Sequence, residues 1–176
     1  MDDSYKQELE KLIENVKSYE GEYRDQYESL LKYLENPSVT QFEHVFVGFF
    51  ADIWQKPDLN KRYLTIITGN QHPFSRGSVH IQSTDPFKQP DINVNYIEHP
   101  IDKLFQREAA KFGRYIMNTK PLSNVVKKEI LPGQNVQTNE EWDKFIEETI
   151  FCEYRKSRNF LKTSSNLMCH RSNRYI

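Results

Sequence analysis

The sequence predicts an α+β fold: two N-terminal helices, an antiparallel β-sheet, two packing helices and a disordered basic C-terminal tail. Three observations lead there. Apolar residues recur at helical spacing before Asn36, at strand spacing between Gln41 and Ser83, and at helical spacing again after Pro100. The length of 176 residues suits one domain, residues 1–154, with an appended piece, residues 155–176. With 37% apolar residues and a mean hydropathy of −0.79, the core is modest. Aromatic residues reach 13%, so burial relies on large rings.

Tyr5, Leu9, Leu12, Val16 and Tyr19 form one helical stripe, and Ser4 with Gln7 fits a capping box. Gly21 interrupts it, and Tyr23, Tyr27, Leu30 and Leu34 begin a second stripe. Asn36-Pro37 ends that stripe, because proline disfavours helix for the residue before it. A helical hairpin or one bent helix results. Residues 42–50, 62–68 and 78–83 then read as strands, with turn signals at Lys56-Pro57-Asp58 and from Gly69 to Pro73. Connections this short favour antiparallel pairing of the three, since parallel neighbours need a long crossover. A further extended piece spans residues 92–97. Pro100 opens a helix whose stripe is Ile101, Leu104, Phe105, Ala109, Phe112 and Ile116. Thr138 and Glu141 form a capping box ahead of Trp142, Phe145, Ile146 and Ile150. Residues 155–176 hold six Lys or Arg, no acid and no period, as a solvated tail does.

Composition excludes several functions. A formal net charge of −1 argues against a general polyanion binder, and no aromatic stacking platform accompanies the basic tail, so no nucleic-acid partner is expected. No apolar run reaches the ~18 residues of a membrane span and no secretory signal is legible, so no membrane partner is expected and a cytoplasmic location is weakly favoured. Cys152 and Cys169 are too few for a disulfide framework or a four-thiolate zinc site. Cys152 reads as a packed residue near a helix end, and its distance from Cys169 gives no redox motif. His44 and His80 can meet on neighbouring strands, but no carboxylate or thiol stands at a metal-ligand spacing, so no metal is expected. Asp85 and Asp91 flank prolines and read as turn formers.

The most specific stretch runs His72-Pro73-Phe74-Ser75-Arg76-Gly77-Ser78-Val79-His80-Ile81-Gln82-Ser83, then Asp85-Pro86, Pro90-Asp91-Ile92 and Asn95-Tyr96. Arg76 offers a rigid donor fork to carbonyls or a carboxylate, and Gly77 lets the backbone pass closely. Ser75, Arg76 and Gly77 are therefore taken as a structural motif. This wording resembles the C-terminal, substrate-side region of the glucose–methanol–choline (GMC) flavin oxidoreductases, closest to fungal choline-dehydrogenase-like and aryl-alcohol-oxidase-like members, over roughly residues 5–154. The resemblance implies a sheet roofing a substrate pocket, FAD held on a separate nucleotide-binding domain, and an alcohol substrate that loses a hydride to the flavin and a proton to a histidine-based pair.

Two family features are missing from the sequence. It has no Gly-rich strand–turn–helix for the FAD pyrophosphate. After Phe151-Cys152-Glu153-Tyr154, where the family continues into a histidine-bearing "H-x-x-G" loop, it reads Arg155-Lys156-Ser157-Arg158. Arginine stays protonated near neutral pH and cannot act as a general base. No catalytic and no cofactor-binding residue is carried over. The expectation is a truncated or frame-shifted family member, inactive alone and binding no FAD alone, active at most with a flavin domain in trans. Phe46 and Phe49 are the expected substrate-facing side chains. The alternative is a non-catalytic protein-interaction module.

Overall fold

A computed structural model describes residues 3–51, 56–152 and 169–175. Its element order is α1 (Asp3–Lys17), α2 (Arg24–Glu35), β1 (Phe42–Val47), β2 (Leu64–Asn70), β3 (Ser78–His80), β4 (Asp91–Asn93), α3 (Pro100–Met117), β5 (Glu129–Leu131), α4 (Asn139–Thr149), β6 (Phe151–Cys152) and β7 (Cys169–Tyr175). The α+β expectation holds. One sheet runs β1-β2-β7-β5 with β6 on β7, and a separate two-stranded ribbon joins β3 to β4. Every pairing is antiparallel.

The leading helices form as their stripes predict. Val16, Tyr27, Leu30 and Leu31 are buried with Phe74, Ile101 and Phe105, and Tyr5, Leu9, Leu12, Tyr19, Tyr23 and Leu34 pack around them. Gly21 separates the helices because the Tyr19 ring occupies the space a Cβ would need there. Ser4 lies inside α1, which starts at Asp3, so the expected Ser4–Gln7 capping box does not form the helix start.

The spine of the fold is α3. Ile101 and Phe105 enter the first cluster, Ala110 joins Trp142 and Phe145, and Met117 meets Ile66 of β2. Phe112 is 43% exposed, so the buried stripe in the second half of α3 runs through Ala110, Gly113 and Met117 instead. Small residues there let the helix sit close to α4, and Phe112 tilts against Phe42 and His44 at the sheet edge. Arg107, with a side chain 6% exposed, joins three helices by reaching Glu8 of α1 at 2.6 Å and Asp143 of α4 at 3.0 Å. Farther along, the Arg114 guanidinium donates to Glu129 at 2.7 Å and lies 4.2 Å from the Trp142 ring centroid. The Thr138–Glu141 capping box is present: Glu141 N donates to Thr138 Oγ1 and Thr138 N donates to Glu141 Oε2.

Three expectations are corrected. The third strand does not pair with the second, because the chain leaving β2 is drawn under α3 and emerges as the ribbon. Cys152 lies just past the end of α4, as expected, but in strand β6 and not in the helix, since α4 stops at Thr149 with Ile150 extended. The expected tail is not wholly irregular: residues 169–175 form β7, while 153–168 and 176 lie outside the described residues. The pairing of β7 runs from Leu64↔Tyr175 to Gly69↔His170, and Cys169 falls in register with Cys152. An open strand edge binds through main-chain donors and acceptors, so a segment with no apolar alternation can join it.

Candidate functional site

The most densely hydrogen-bonded constellation is a knot where the chain leaving β2 meets the first turn of α3. Asp102 is 1% exposed. Its carboxylate accepts from Phe74 N at 2.8 Å, Ser75 N at 2.6 Å and Asn70 Nδ2 at 3.1 Å. The Ser75 hydroxyl accepts from His99 N at 2.9 Å, and the His99 ring accepts from Ile101 N as the N-cap of α3. Arg76, also buried, donates to Pro73 O, Ser75 O and Gln26 Oε1 at 2.8, 3.0 and 2.9 Å, and sits over the Tyr27 ring. Asn95 Nδ2 closes the knot on Arg76 O at 3.0 Å. Ser75 and Arg76 of the sequence motif are thus both knot members. Half-buried Gly77 follows where the ribbon departs.

Backbone conformation reinforces the assignment. Asn95 and Ile97 have φ of 43° and 50°, the left-handed region. For a β-branched residue this is a strained position, held here by 6% exposure of Ile97. Electrostatics are equally constrained. Burial and the neighbouring Arg76 charge push His99 down to about 4, so its ring is neutral near pH 7. Burial raises the Asp102 carboxyl above the ordinary carboxylate range, against its hydrogen bonds and Arg76, which favour the anion. The knot encloses a cavity of only about 10 Å³, lined by Asn70, Ser75, Asn95, Tyr96 and Asp102 among others. That is room for one water. The knot is a fastening and not a substrate chamber.

The other sequence candidates are dispersed. His44 donates or accepts at Thr68 Oγ1 (3.0 Å) on the main sheet, and burial lowers its pKa. His80 belongs to the ribbon, so the two histidines do not share a sheet as expected. Asp85 accepts from Phe87 N within its own turn, and Asp91 opens β4. Among the described residues no group of three His, Cys, Asp or Glu gathers as metal ligands. Phe46 is 46% exposed and in register with Ile66, on the α3 side of the sheet. Phe49 is 60% exposed just past β1, where its carbonyl accepts from the Thr65 hydroxyl. Sequence reasoning missed Asp102, His99 and Asn70. Their signal is weak, since an acid in the first turn of a helix is ordinary and only burial shows what it holds.

A dinucleotide pyrophosphate requires free backbone N–H groups at a helix N-terminus. In α3 that position holds the His99 ring and the Asp102 carboxylate; in α4 it holds the Thr138 hydroxyl with Glu140 and Glu141. Asp25 stands in the first turn of α2. The N-termini of α2, α3 and α4 therefore do not offer an open cradle to an FAD pyrophosphate.

Comparison with known proteins centres on the same stretch. Residues 73–155 match the GMC oxidoreductase family model for its C-terminal domain. A GMC oxidoreductase family protein of Malassezia sympodialis is 42% identical over 94 residues, 53% of this chain and 15% of its own length. An oxygen-dependent choline dehydrogenase of Pseudomonas aeruginosa is 38% identical over 78 residues, 44% of this chain and 14% of its own. A choline dehydrogenase of Sinorhizobium fredii is 32% identical over 117 residues, 57% of this chain and 21% of its own. The chain therefore spans a small fraction of these relatives. No solved structure matches it. The stretch that carries the Ser75–Arg76 knot, the ribbon, α3 and α4 is thus similar to the C-terminal domain of the GMC oxidoreductases.

Proposed function

We propose that this chain is the substrate-side portion of an FAD-dependent oxidoreductase acting on CH–OH donors. The observation that carries the reading is the match of residues 73–155 to the GMC C-terminal domain, with choline dehydrogenases among the relatives. The family is FAD-dependent in general and acts on alcohols such as choline. In this reading the flavin supplies the hydride acceptor, and this chain supplies shape. The α3 knot fixes the sheet, and the exposed aromatic rings of Phe46 and Phe49 offer an apolar surface to an alcohol. The chain alone neither holds FAD nor oxidises an alcohol, because its helix N-termini carry their own carboxylates and Arg155 stands where the family's histidine loop begins.

Two measurements on the purified chain test this. Flavin absorbance is expected to be absent from it, and choline or an aryl alcohol is expected to go unoxidised. When the chain is co-expressed with the flavin-bearing remainder of a choline dehydrogenase such as that of Pseudomonas aeruginosa, alcohol oxidation is expected. A flavin-loaded chain active by itself, or a co-expressed pair with no turnover, overturns the proposal.

A further inference from the structure

The two cysteines of the chain stand 17 positions apart and offer no redox spacing, yet the fold makes them neighbours. Cys152 ends β6, Cys169 opens β7, and the two are register partners in an antiparallel pair. Opposed Cα atoms in such a pair lie about 4.5 or 5.5 Å apart, the larger value where the pair exchanges hydrogen bonds. Both separations fall inside the roughly 4.4–6.8 Å that a disulfide spans. A cross-link here has a seat to hold. β6 offers β7 only Phe151↔His170 and Cys152↔Cys169, and the second pair closes the 16-residue span 153–168. β7 in turn lies between β2 and β5, so it joins the two halves of the main sheet. Its sequence, CHRSNRY, has no apolar alternation to anchor it there.

We propose that Cys152 and Cys169 are a redox-modification site that closes to a disulfide across β6 and β7 and fastens β7 into the sheet. The oxidant is a small-molecule disulfide of the glutathione class. The thiolate of one cysteine attacks a glutathione disulfide sulfur, that S–S bond breaks, and one glutathione thiolate leaves. The second cysteine thiolate then attacks the protein sulfur of the mixed disulfide and expels the other glutathione. Two protein thiols lose two electrons, one glutathione disulfide is reduced to two glutathiones, and the two thiol protons end on them. Charge favours both the thiolate and this oxidant. From Tyr154 to Ile176 the chain has six Lys or Arg and no acid, with His170 and Arg171 directly after Cys169; Glu153 is the one acid next to either cysteine. Cationic neighbours lower a thiol's pKa, and glutathione disulfide, net negative near neutral pH, is drawn to the same stretch. Cys169 lies beyond the family match of residues 73–155, so the site stands apart from the flavin reading.

The test incubates the full chain in glutathione buffers, blocks the remaining thiols with N-ethylmaleimide and measures intact mass. In oxidised buffer the monomer is expected to lose two hydrogens and take up no maleimide, and digestion is expected to yield one peptide pair joined through Cys152 and Cys169. Excess dithiothreitol is expected to reverse this. Cys152→Ser combined with Phe151→Cys moves the first thiol one residue out of register, and its closure is expected to be about tenfold slower. Hydrogen exchange over residues 64–70, which pair with β7, is expected to be slower in the oxidised than in the reduced wild-type chain and indifferent to oxidant in Cys152→Ser. Two free thiols in oxidised buffer, glutathione adducts or disulfide-linked dimers in place of the internal bond, equal closure by the shifted variant, or wild-type exchange blind to oxidation each overturns the proposal.

Discussion

The knot at residues 70–76 and the ribbon at residues 78–94 adjoin in the chain and lie at opposite physical extremes. In the knot, polar groups are buried: Asn70, Ser75, Arg76 and Asp102 are all under 9% exposed, and the buried polar atoms are tied to one another. In the ribbon, apolar groups are exposed: Ile81 and Phe87 are about 90% exposed, at 89% and 91%. Each inverts the usual partition of polar and apolar residues. The knot satisfies its inversion internally through hydrogen bonds. The ribbon has nothing within the described residues to satisfy its own. The knot, through Asn95 Nδ2 on Arg76 O, sets the direction in which the ribbon leaves it.

The comparison breaks most sharply at Asp102. Asp102→Ala leaves Phe74 N, Ser75 N and Asn70 Nδ2 buried without their acceptor, and is expected to cost about 3–5 kcal/mol in urea unfolding. Asp102→Asn keeps one acceptor oxygen and is expected to cost less. A loss under 1 kcal/mol for the alanine variant means that the knot does not hold the region. Next comes Arg107→Met, which keeps the apolar stem but abandons Asp143 and Glu8, with an expected loss of about 2–3 kcal/mol. An unchanged denaturation midpoint would free α1 and α4 from this tie.

His99 gives the knot a pH signature. Its pKa falls from 6.5 to about 4 on folding, so the unfolded chain takes up a proton first as pH drops. Stability is intact above pH 6.5 and declines between 6.5 and 4, by on the order of 2 kcal/mol once partial solvent exposure is allowed for. The raised carboxyl of Asp102 acts with the opposite sign at the acid end, so the contribution is isolated as the difference between wild type and His99→Asn, which keeps an N-cap acceptor. Parallel pH–stability curves for the two proteins contradict it.

Helix periodicity announced α1, α2, α3 and α4, because each buries one stripe against a neighbour and the stripe is written in the residue order. The knot was only half legible. Ser75, Arg76 and Gly77 stand out as a motif, but Asp102, twenty-six residues after Arg76, is recognisable only once the fold buries it. The ribbon's alternation was read as a strand of the main sheet because periodicity assigns a strand and not its partner. Nor does β7 carry any alternation to read, since pairing beside β2 uses the backbone common to every residue. Phe112 failed differently: it fits the α3 stripe, yet the crossing with α4 favours Ala110 and Gly113 at the contact.

A smaller effect is expected at Gly133, which follows Pro132 with φ of 98° and stands where a Cβ would crowd the Asn135 side chain. Gly133→Ala is expected to lose about 1 kcal/mol, because L residues resist the left-handed region. The loop carries the Gly133 carbonyl that accepts from Arg114 Nη2 at 3.1 Å, so the same variant is expected to loosen α3 against β5. Hydrogen exchange near residues 129–133 reads that loosening, and an unchanged rate with unchanged stability places the loop outside the fastening.

The smallest effect falls on the ribbon, and its smallness is the informative part. In the free chain Ile81→Ser and Ile92→Thr remove apolar atoms already in water, so the transfer term for burial scarcely enters. Each is expected to shift unfolding by less than about 0.5 kcal/mol, as surface substitutions do. The matched substitution at Ile66, fully buried against Met117, removes the same kind of side chain from the core, and Ile66→Thr is expected to cost about 2 kcal/mol or more. If Ile81→Ser instead costs as much as Ile66→Thr, the ribbon's apolar face is covered by its own chain. The contrast between a self-satisfied knot and an uncovered ribbon then disappears.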